Sequence, residues 1–222
     1  MNLSLEQSAL IHYVAQQLAC FYPDGQNTMS GLTLIMPTVI QRLDHCFSHI
    51  HKKYYFENGK PRFHHLNSDH YAMFLYVVAN EAWRQGFTPL AEKAFLLNKA
   101  LHGIDAFYSI TLPDVFLFVH PVGTVLGNAT YADFLVVYQN VTVGSDVAGV
   151  YPVFGQACVL YSKCSVIGEC KIGHNVSIAA HSFVRNMDVS SDAVVVGLYP
   201  GNAIKTNRRD NRLDFFQSKD LV

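Results

Sequence analysis

His120 and Asp105 carry side chains whose types suit proton transfer. His120 lies in the segment VHPVGTVLG, and Asp105 precedes it by fifteen residues. A neutral imidazole can accept a proton near pH 7, and a carboxylate bonded to its other ring nitrogen fixes the tautomer and stabilises the imidazolium that forms. Such a pair can activate a hydroxyl group as a nucleophile, provided that the fold brings the two side chains together.

A six-residue repeat in the second half of the chain indicates a fold that can do so. Bulky apolar residues recur every six positions, a period that fits neither an α-helix nor a plain strand. It fits a coil of three short strands whose bulky residues point inward, with parallel hydrogen bonding between stacked coils. Because fifteen residues is close to one coil, Asp105 and His120 can become neighbours in adjacent coils. The bulky positions are Phe154, Leu160, Val166, Ile172, Ile178 and Val184, continued upstream by Tyr131, Val137 and Val143.

Three of the five cysteines belong to this repeat. Cys158, Cys164 and Cys170 each lie four positions after a bulky residue. A buried free cysteine behaves as a small hydrophobic residue, so we predict that these three pack inside the coil. The odd number of cysteines, in a chain without a recognisable signal peptide, also predicts free thiols.

Residues 1 to about 103 have helical spacing instead. Ser4 and Gln7 form a capping-box pattern before the first helix, and Pro37 is expected in the first turn of the second. A third helix is predicted from residue 68 to 84 and a fourth from 88 to 103. The stretch 57–67 is expected to be a loop, because it contains a glycine and a proline. The predicted organisation is a helical domain over 1–103, a β-helix over 104–205 and a C-terminal tail over 206–222.

The composition is that of a globular protein. Half of the 222 residues are hydrophobic, 15% are charged, and the formal net charge is -1. No broad basic field therefore indicates nucleic acid or an anionic membrane as a partner. No signal peptide and no run of about 18 apolar residues is present, so we expect a cytoplasmic protein without an integral membrane segment. Without CxxC or HExxH motifs, no metal site is predicted.

Several motifs between residues 70 and 205 resemble the serine acetyltransferases and related hexapeptide-repeat acyltransferases. They are HYAMFLYVVANEAWRQG, VHPVGTVLG, NVTVG, YPVFG and VVGLYPGNAIK. The resemblance implies a left-handed parallel β-helix and an acetyl-CoA-dependent O-acetyltransferase. It implies that His120 is the catalytic base and that Asp105 orients it, because the family pairs its histidine with an aspartate fifteen residues earlier. It also implies a homotrimer, or a hexamer joined by the helical halves.

The same resemblance implies a site for acetyl-CoA as co-substrate. By position, Gly144, Ser162 and Ala180 match residues that line the pantetheine groove. Ser162 and Ala180 are eighteen residues apart, which is one full coil. Lys205 is expected to meet a phosphate of CoA, with help from Arg208 and Arg209.

The acceptor is predicted from departures from the family pattern. Val119 stands where the family has an aspartate, and Tyr151 stands where it has a histidine. These changes remove charges that suit a zwitterionic amino acid. Tyr138, Gln139 and Tyr151 suit a neutral polyol instead, so the leading expectation is a sugar or surface-polysaccharide precursor, as in capsule or O-antigen synthesis.

Three alternatives stay open. The first is a serine O-acetyltransferase of cysteine biosynthesis, which the missing charges disfavour. The second is a β-helix scaffold without catalysis, which the spacing of Asp105 and His120 disfavours. The third is an N-acyltransferase for an amino sugar, because related folds host both reactions. The sequence does not distinguish acetyl from a slightly longer acyl group.

Overall fold

Helices fill the first part of the chain and short strands fill the second. A computed structural model describes residues 1–217. The helices are α1 (Gln7–Phe21), α2 (Met29–Ser48), α3 (Ser68–Arg84), α4 (Thr88–His102) and α5 (Asn211–Phe215), with a 3-10 helix over Lys53–Tyr55. The strands are β1 (Asn2–Leu3), β2 (Phe56–Glu57), β3 (Lys60–Phe63), β4 (Asp105–Ala106), β5 (Phe116–Val119), β6 (Val125–Leu126), β7 (Thr130–Tyr131), β8 (Leu135–Tyr138), β9 (Thr142–Gly144), β10 (Val153–Phe154), β11 (Val159–Leu160), β12 (Ser165–Ile167), β13 (Lys171–Ile172), β14 (Ser177–Ile178), β15 (Phe183–Arg185), β16 (Ala193–Val196) and β17 (Ala203–Thr206).

Helices α3 and α4 begin and end close to the residues that the sequence predicts. Asn67 caps α3, since its side-chain oxygen accepts the backbone N–H groups of Asp69 at 3.1 Å and His70 at 3.2 Å. These groups have no partner within the helix. Pro89 lies in the first turn of α4, and Gly103 ends that helix in the left-handed region at φ 64°, where glycine has no steric penalty. Because α3 is buried along most of its length, it is the central helix.

Two local predictions in the helical half are wrong. Ser4 does not cap α1, because its hydroxyl lies 2.8 Å from Nδ1 of His65 and no side-chain cap is present. The capping-box role of Gln7 is therefore absent. Pro37 lies inside α2 rather than in its first turn, because this helix already begins at Met29. Apolar residues upstream of Pro37 extend the buried face of α2 and outweigh the backbone hydrogen bond that a proline removes.

The predicted loop 57–67 contains a β-hairpin. Strands β2 and β3 are antiparallel, and β3 also pairs in parallel with β1. Asn58 and Gly59 form the two-residue turn with φ of 52° and 74°. Two successive positive φ angles are what an Asn-Gly hairpin turn requires, so this pair is the sequence signal for the hairpin.

The strands from β4 onward form a parallel β-solenoid. The long sheet stacks β5, β8, β11, β14 and β16 in parallel, which gives five turns, and it ends on the antiparallel β17. The five-stranded sheet stacks β4, β6, β9, β12 and β15, and the short sheet stacks β7, β10 and β13. The predicted fold class, helices followed by a parallel β-helix, is confirmed.

The repeat positions form the core of the solenoid. Each bulky residue of the six-residue period is at most 7% exposed. Cys158, Cys164 and Cys170 are free and buried, which confirms that they pack inside the coil. Burial raises the pKa of the Cys158 and Cys164 thiols to about 12, so both remain protonated and unreactive near neutral pH.

Buried contacts join the helical half to the β-solenoid across the boundary between them. Helix α4 ends at His102 and β4 begins at Asp105, close to the predicted boundary. The Cys46 thiol of α2 donates to the Phe116 carbonyl of β5 at 3.1 Å, so the halves share buried contacts. The division into 1–103, 104–205 and 206–222 stays a prediction. Helix α5 lies in the predicted tail, whose residues 218–222 lie outside the described part of the chain. Within residues 1–217, no helix is long and apolar enough to span a bilayer.

The burial of the repeat positions predicts how much stability is lost when one of their side chains is shortened. Leu160 is fully buried, whereas Val153 in the same coil is 47% exposed. Leu160→Ala should lower the free energy of unfolding by about 2–5 kcal/mol, because it leaves a cavity. Val153→Ala should lower it by less than about 1 kcal/mol. Urea unfolding followed by circular dichroism measures both, and equal losses would contradict the inward orientation of the repeat positions.

Candidate active site

His120 lies in a turn that is longer than its equivalent in the next coil. We call the turn between the long sheet and the five-stranded sheet the histidine corner; it comprises residues 120–124, 139–141, 161–164 and 179–182. Val119 pairs with Tyr138 before the corner, and Val125 pairs with Thr142 after it. Five residues therefore span the first coil's corner, where three residues suffice in the next. The two additional residues must bulge outward, because the strands on both sides keep their register.

The bulge presents the His120 side chain to solvent. His120 has φ 49°, and its side chain is 75% exposed. A hydrogen bond of 2.8 Å from the Val122 N–H to the His120 carbonyl closes the bulge. Beyond it the coil regains its register, since the Asn140 N–H donates to the Val122 carbonyl at 2.9 Å. An exposed imidazole is accessible to a substrate, and these hydrogen bonds hold the backbone of the turn that carries it.

A carboxylate from the helical half reaches this bulge. The His120 backbone N–H donates to Oδ1 of Asp69 at 3.1 Å, and Nδ1 of the ring lies 3.7 Å from the same oxygen. Asp69 is in the first turn of α3, where the helix dipole stabilises a negative charge. Burial raises the pKa of Asp69, and the His120 ring and backbone N–H act in the opposite direction. The sequence alone carries no signal for this residue, because a contact across 51 positions between a helix and a coil has no periodic pattern.

Asp105, the predicted partner of His120, has another partner. Its carboxylate pairs with Nζ of Lys99 at 2.6 Å. The backbone N–H of Asp105 donates to the Thr124 carbonyl at 2.8 Å, so Asp105 does lie at the histidine corner. No hydrogen bond or ion pair joins Asp105 to His120 among residues 1–217. The catalytic pairing of Asp105 with His120 therefore stays a prediction: in the described chain Lys99 of α4 pairs with Asp105, and Asp69 is the carboxylate within 4 Å of the imidazole.

The predicted CoA-binding residues fall into two groups. Gln139, Ser162 and Ala180 follow one another at the histidine corner: the Lys163 N–H donates to the Gln139 carbonyl, and the N–H of the residue after Ala180 donates to the Ser162 carbonyl. Gly144 instead lies at the far end of β9, paired with Ile167. Of the predicted basic residues, Lys205 is exposed on β17, and Arg209 forms an ion pair with Asp214 at 2.7 Å.

The predicted acceptor residues do not form one pocket within the chain. Tyr138 stacks on Tyr161 with a centroid distance of 5.2 Å, so its ring packs on the long sheet. Tyr151 follows the next corner, where its ring leaves no room for a side chain at Gly127. Gln139 alone lies at the histidine corner, and its Oε1 is buried without a hydrogen-bond partner in the described chain. The assignment of these three residues to an acceptor site therefore stays a prediction. No cluster of three or more His, Cys, Asp or Glu residues suited to a metal occurs within positions 1–217.

The six-residue repeat and the stacked parallel strands define a β-solenoid, and an exposed histidine lies at one of its corners. The sequence is 30% identical over 154 residues to the serine acetyltransferase of Synechococcus elongatus, covering 67% of this chain and 62% of that protein. The fold is similar to a soybean serine acetyltransferase complexed with serine, at 18% identity and a TM-score of 0.68, covering 91% of this chain and 85% of that one. It is also similar to a serine acetyltransferase in complex with CoA, at 15% identity and a TM-score of 0.69, covering 90% and 85%.

These comparisons support the resemblance to the serine acetyltransferases as a β-helix family. The structural similarity, at such low identity, establishes the fold alone. The chain spans between 48% and 64% of the length of three curated relatives that it matches, two of them named serine acetyltransferases and one a putative serine acetyltransferase. No protein-family model matches the sequence.

The end of the bulge generates a stability prediction. Gly123 has φ 74°, and a Cβ there would lie 2.4 Å from Oδ1 of Asn140. Gly25 has φ 77° with nothing within 4 Å, so it is a matched control for backbone strain alone. Gly25→Ala should lower the free energy of unfolding by about 1–2 kcal/mol. Gly123→Ala should lower it further, because the Asn140 side chain must also move.

Urea unfolding of both variants tests this prediction. The additional loss in Gly123→Ala should diminish when Asn140→Ala is introduced as well. If the two glycine variants lose the same stability, the close approach of Gly123 and Asn140 does not hold the corner.

Proposed function

We propose that this protein is an acetyl-CoA-dependent serine O-acetyltransferase in which His120 is the general base. The observation that carries the proposal is the exposed His120 imidazole, which faces a carboxylate at a corner of the β-solenoid. The similarity to serine acetyltransferases in sequence and fold supports the same reaction. An assembly scaffold without catalysis would have no need of a lengthened corner that exposes a histidine.

The chemistry follows from the position of the imidazole. A serine hydroxyl is a weak nucleophile until a base removes its proton during attack. His120 takes that proton while the hydroxyl oxygen forms a bond to the thioester carbonyl carbon. The tetrahedral intermediate then expels the thiolate of CoA, and the imidazolium of His120 returns the proton to sulfur. The products are O-acetylserine and free CoA, and the base is regenerated.

Serine replaces the sugar acceptor that the sequence alone favoured. That expectation depended on the missing charges at Val119 and Tyr151. The structure places other charged groups at the histidine corner, namely Asp69, Lys99 and Asp105. A zwitterion needs charged partners when it leaves water, and charges of both signs occur at this corner, where Lys99 and Asp105 are paired with each other. The names of the relatives favour serine as well.

We assign the acyl donor to the column of small residues at the histidine corner. Ser162 and Ala180 have short side chains, so a pantetheine arm can approach the backbone of two successive coils. Gln139 continues this column toward His120. Gly144 and Lys205 remain proposals for the more distant parts of CoA, with Lys205 suited to a phosphate because its side chain is exposed and cationic.

The His120 assignment predicts a loss of turnover. His120→Ala should lower kcat for acetyl transfer from acetyl-CoA to L-serine by roughly 10²–10⁴-fold, the usual contribution of a positioned base. The fold should persist, because the side chain is exposed. Release of CoA, measured with a thiol reagent, reports the rate, and circular dichroism checks the fold.

The acceptor is tested in the same assay with the wild-type protein. We expect kcat/KM for L-serine of about 10⁴ M⁻¹s⁻¹ or more and lower values for nucleotide sugars and free oligosaccharides. A sugar that outperforms serine would restore the polysaccharide acceptor. Full activity of His120→Ala would exclude it as the base.

Assembly is predicted from the resemblance alone. We propose a trimer, or a hexamer joined by the helical halves, with the active site between neighbouring subunits. Tyr151, which is remote from His120 along the coil, would then belong to a neighbour's site. Multi-angle light scattering should give three or six times the 24.8 kDa mass of the chain. An active, stable monomer would refute this assembly.

A further inference from the structure

Among residues 1–217, the hydrogen bond and the ion pair that join His120 to the helical half both involve the Asp69 side chain. One oxygen, Oδ1, accepts the backbone N–H of His120 at 3.1 Å and lies 3.7 Å from Nδ1 of the ring. The first contact fixes the bulge, and the second faces one ring nitrogen. The distance to Nδ1 exceeds that of a hydrogen bond. Catalytic hydrogen bonds are often long before substrate binds and shorten in the complex.

Three hydrogen bonds hold Asp69 and the helix that carries it. Asn67 caps the first turn of α3 by accepting the Asp69 backbone N–H at 3.1 Å. Further along the same helix, the buried Tyr76 hydroxyl donates to the Ile110 carbonyl and accepts the Leu112 N–H, both at 2.8 Å. Helix α3 is therefore bonded directly to the segment that leads into β5. The Asp69 side chain is 18% exposed, so water competes little for its charge.

The carboxylate of Asp105, the other candidate partner of His120, is already paired with an ammonium group. Lys99 contacts Oδ2 of Asp105 at 2.6 Å, and this pair is more exposed, with 52% and 33% of the side chains accessible. A carboxylate that shares its charge with an ammonium stabilises a neighbouring imidazolium less than an unpaired one does. Asp69 has no Lys or Arg partner within 4.0 Å in the described chain.

We propose that Asp69 is the residue that positions the His120 imidazole for proton transfer, an inference that rests on the proposed function. The Asp69 oxygen faces Nδ1, so the proton of the neutral ring resides on Nδ1. Nε2 then carries the free electron pair and accepts the proton of the acceptor hydroxyl. The charge of Asp69 stabilises the imidazolium that exists until the proton passes to the CoA thiolate. Asp69 acts through His120 and does not contact the reacting atoms.

Asp69→Asn tests the charge while keeping the backbone contact. The Asn oxygen can still accept the His120 N–H, so the bulge should persist. The kcat for L-serine should fall roughly 10²-fold, with KM for acetyl-CoA changed less than about twofold, because a lost orienting charge affects the transition state. Asp105→Asn, the comparison variant, should lower kcat less. Asp114→Asn, exposed and away from the corner, should leave kcat unchanged.

The tautomer of His120 gives a measurement that does not depend on activity. Nitrogen-15 spectra of histidine-labelled protein distinguish a protonated ring nitrogen from an unprotonated one, and loss of signals in His120→Gln assigns the residue. We expect the Nδ1–H tautomer in the wild type and in Asp105→Asn, and a mixture of tautomers in Asp69→Asn. Thermal unfolding within a few degrees of the wild type shows that each variant is folded.

The outcomes separate the positioning role from the proposed function. An unchanged tautomer and unchanged kcat in Asp69→Asn would overturn the positioning role. A tautomer shift in Asp105→Asn alone would also overturn it and restore Asp105. If Asp69→Asn alters the tautomer while the wild type acetylates none of the acceptors, the positioning contact is supported and the proposed function fails.

Discussion

Hydrogen bonding between successive coils is the constraint on which the rest of the structure depends. From β4 to β16, strands of successive coils pair in parallel and in fixed register. A coil cannot absorb an additional residue within a strand without moving its inward side chains to the outer face. Insertions are therefore confined to the corners. The exposed position of His120 is a consequence, because its corner holds two more residues than the next one.

This constraint explains which features can be predicted from the sequence. Inward positions recur every six residues, so Leu160, Val166 and Ile172 identify the coil through their spacing alone. The same period correctly places Cys158 and Cys164 inside. The ends of α3 and α4 are also predictable, because a local residue type determines each of them. Such features depend on neighbours in the sequence or on a fixed period, and both are visible in one chain.

Features that depend on tertiary contacts cannot be predicted in this way. Ser4 has the pattern of a helix cap, but His65, far along the chain, engages its hydroxyl. Tyr138 suits a sugar by its type, but Tyr161 one coil later stacks on its ring. Asp105 has the expected spacing from the histidine, but Lys99 engages its carboxylate. In each case the chemistry of the residue type is as expected, and a competing partner determines its role.

The helical half bonds to the bulge of the histidine corner at both of its ends. At one end of the bulge, Asp69 of α3 accepts the backbone N–H of His120. At the other end, the carbonyl of Gly103, which ends α4, accepts the N–H of Gly123 at 3.0 Å. A two-residue insertion in a solenoid has lost its bonds to the neighbouring coil, so it would be the most mobile part of the turn. Contacts from two helices replace those bonds, and the position of the imidazole therefore depends on how α3 and α4 pack against the first coil.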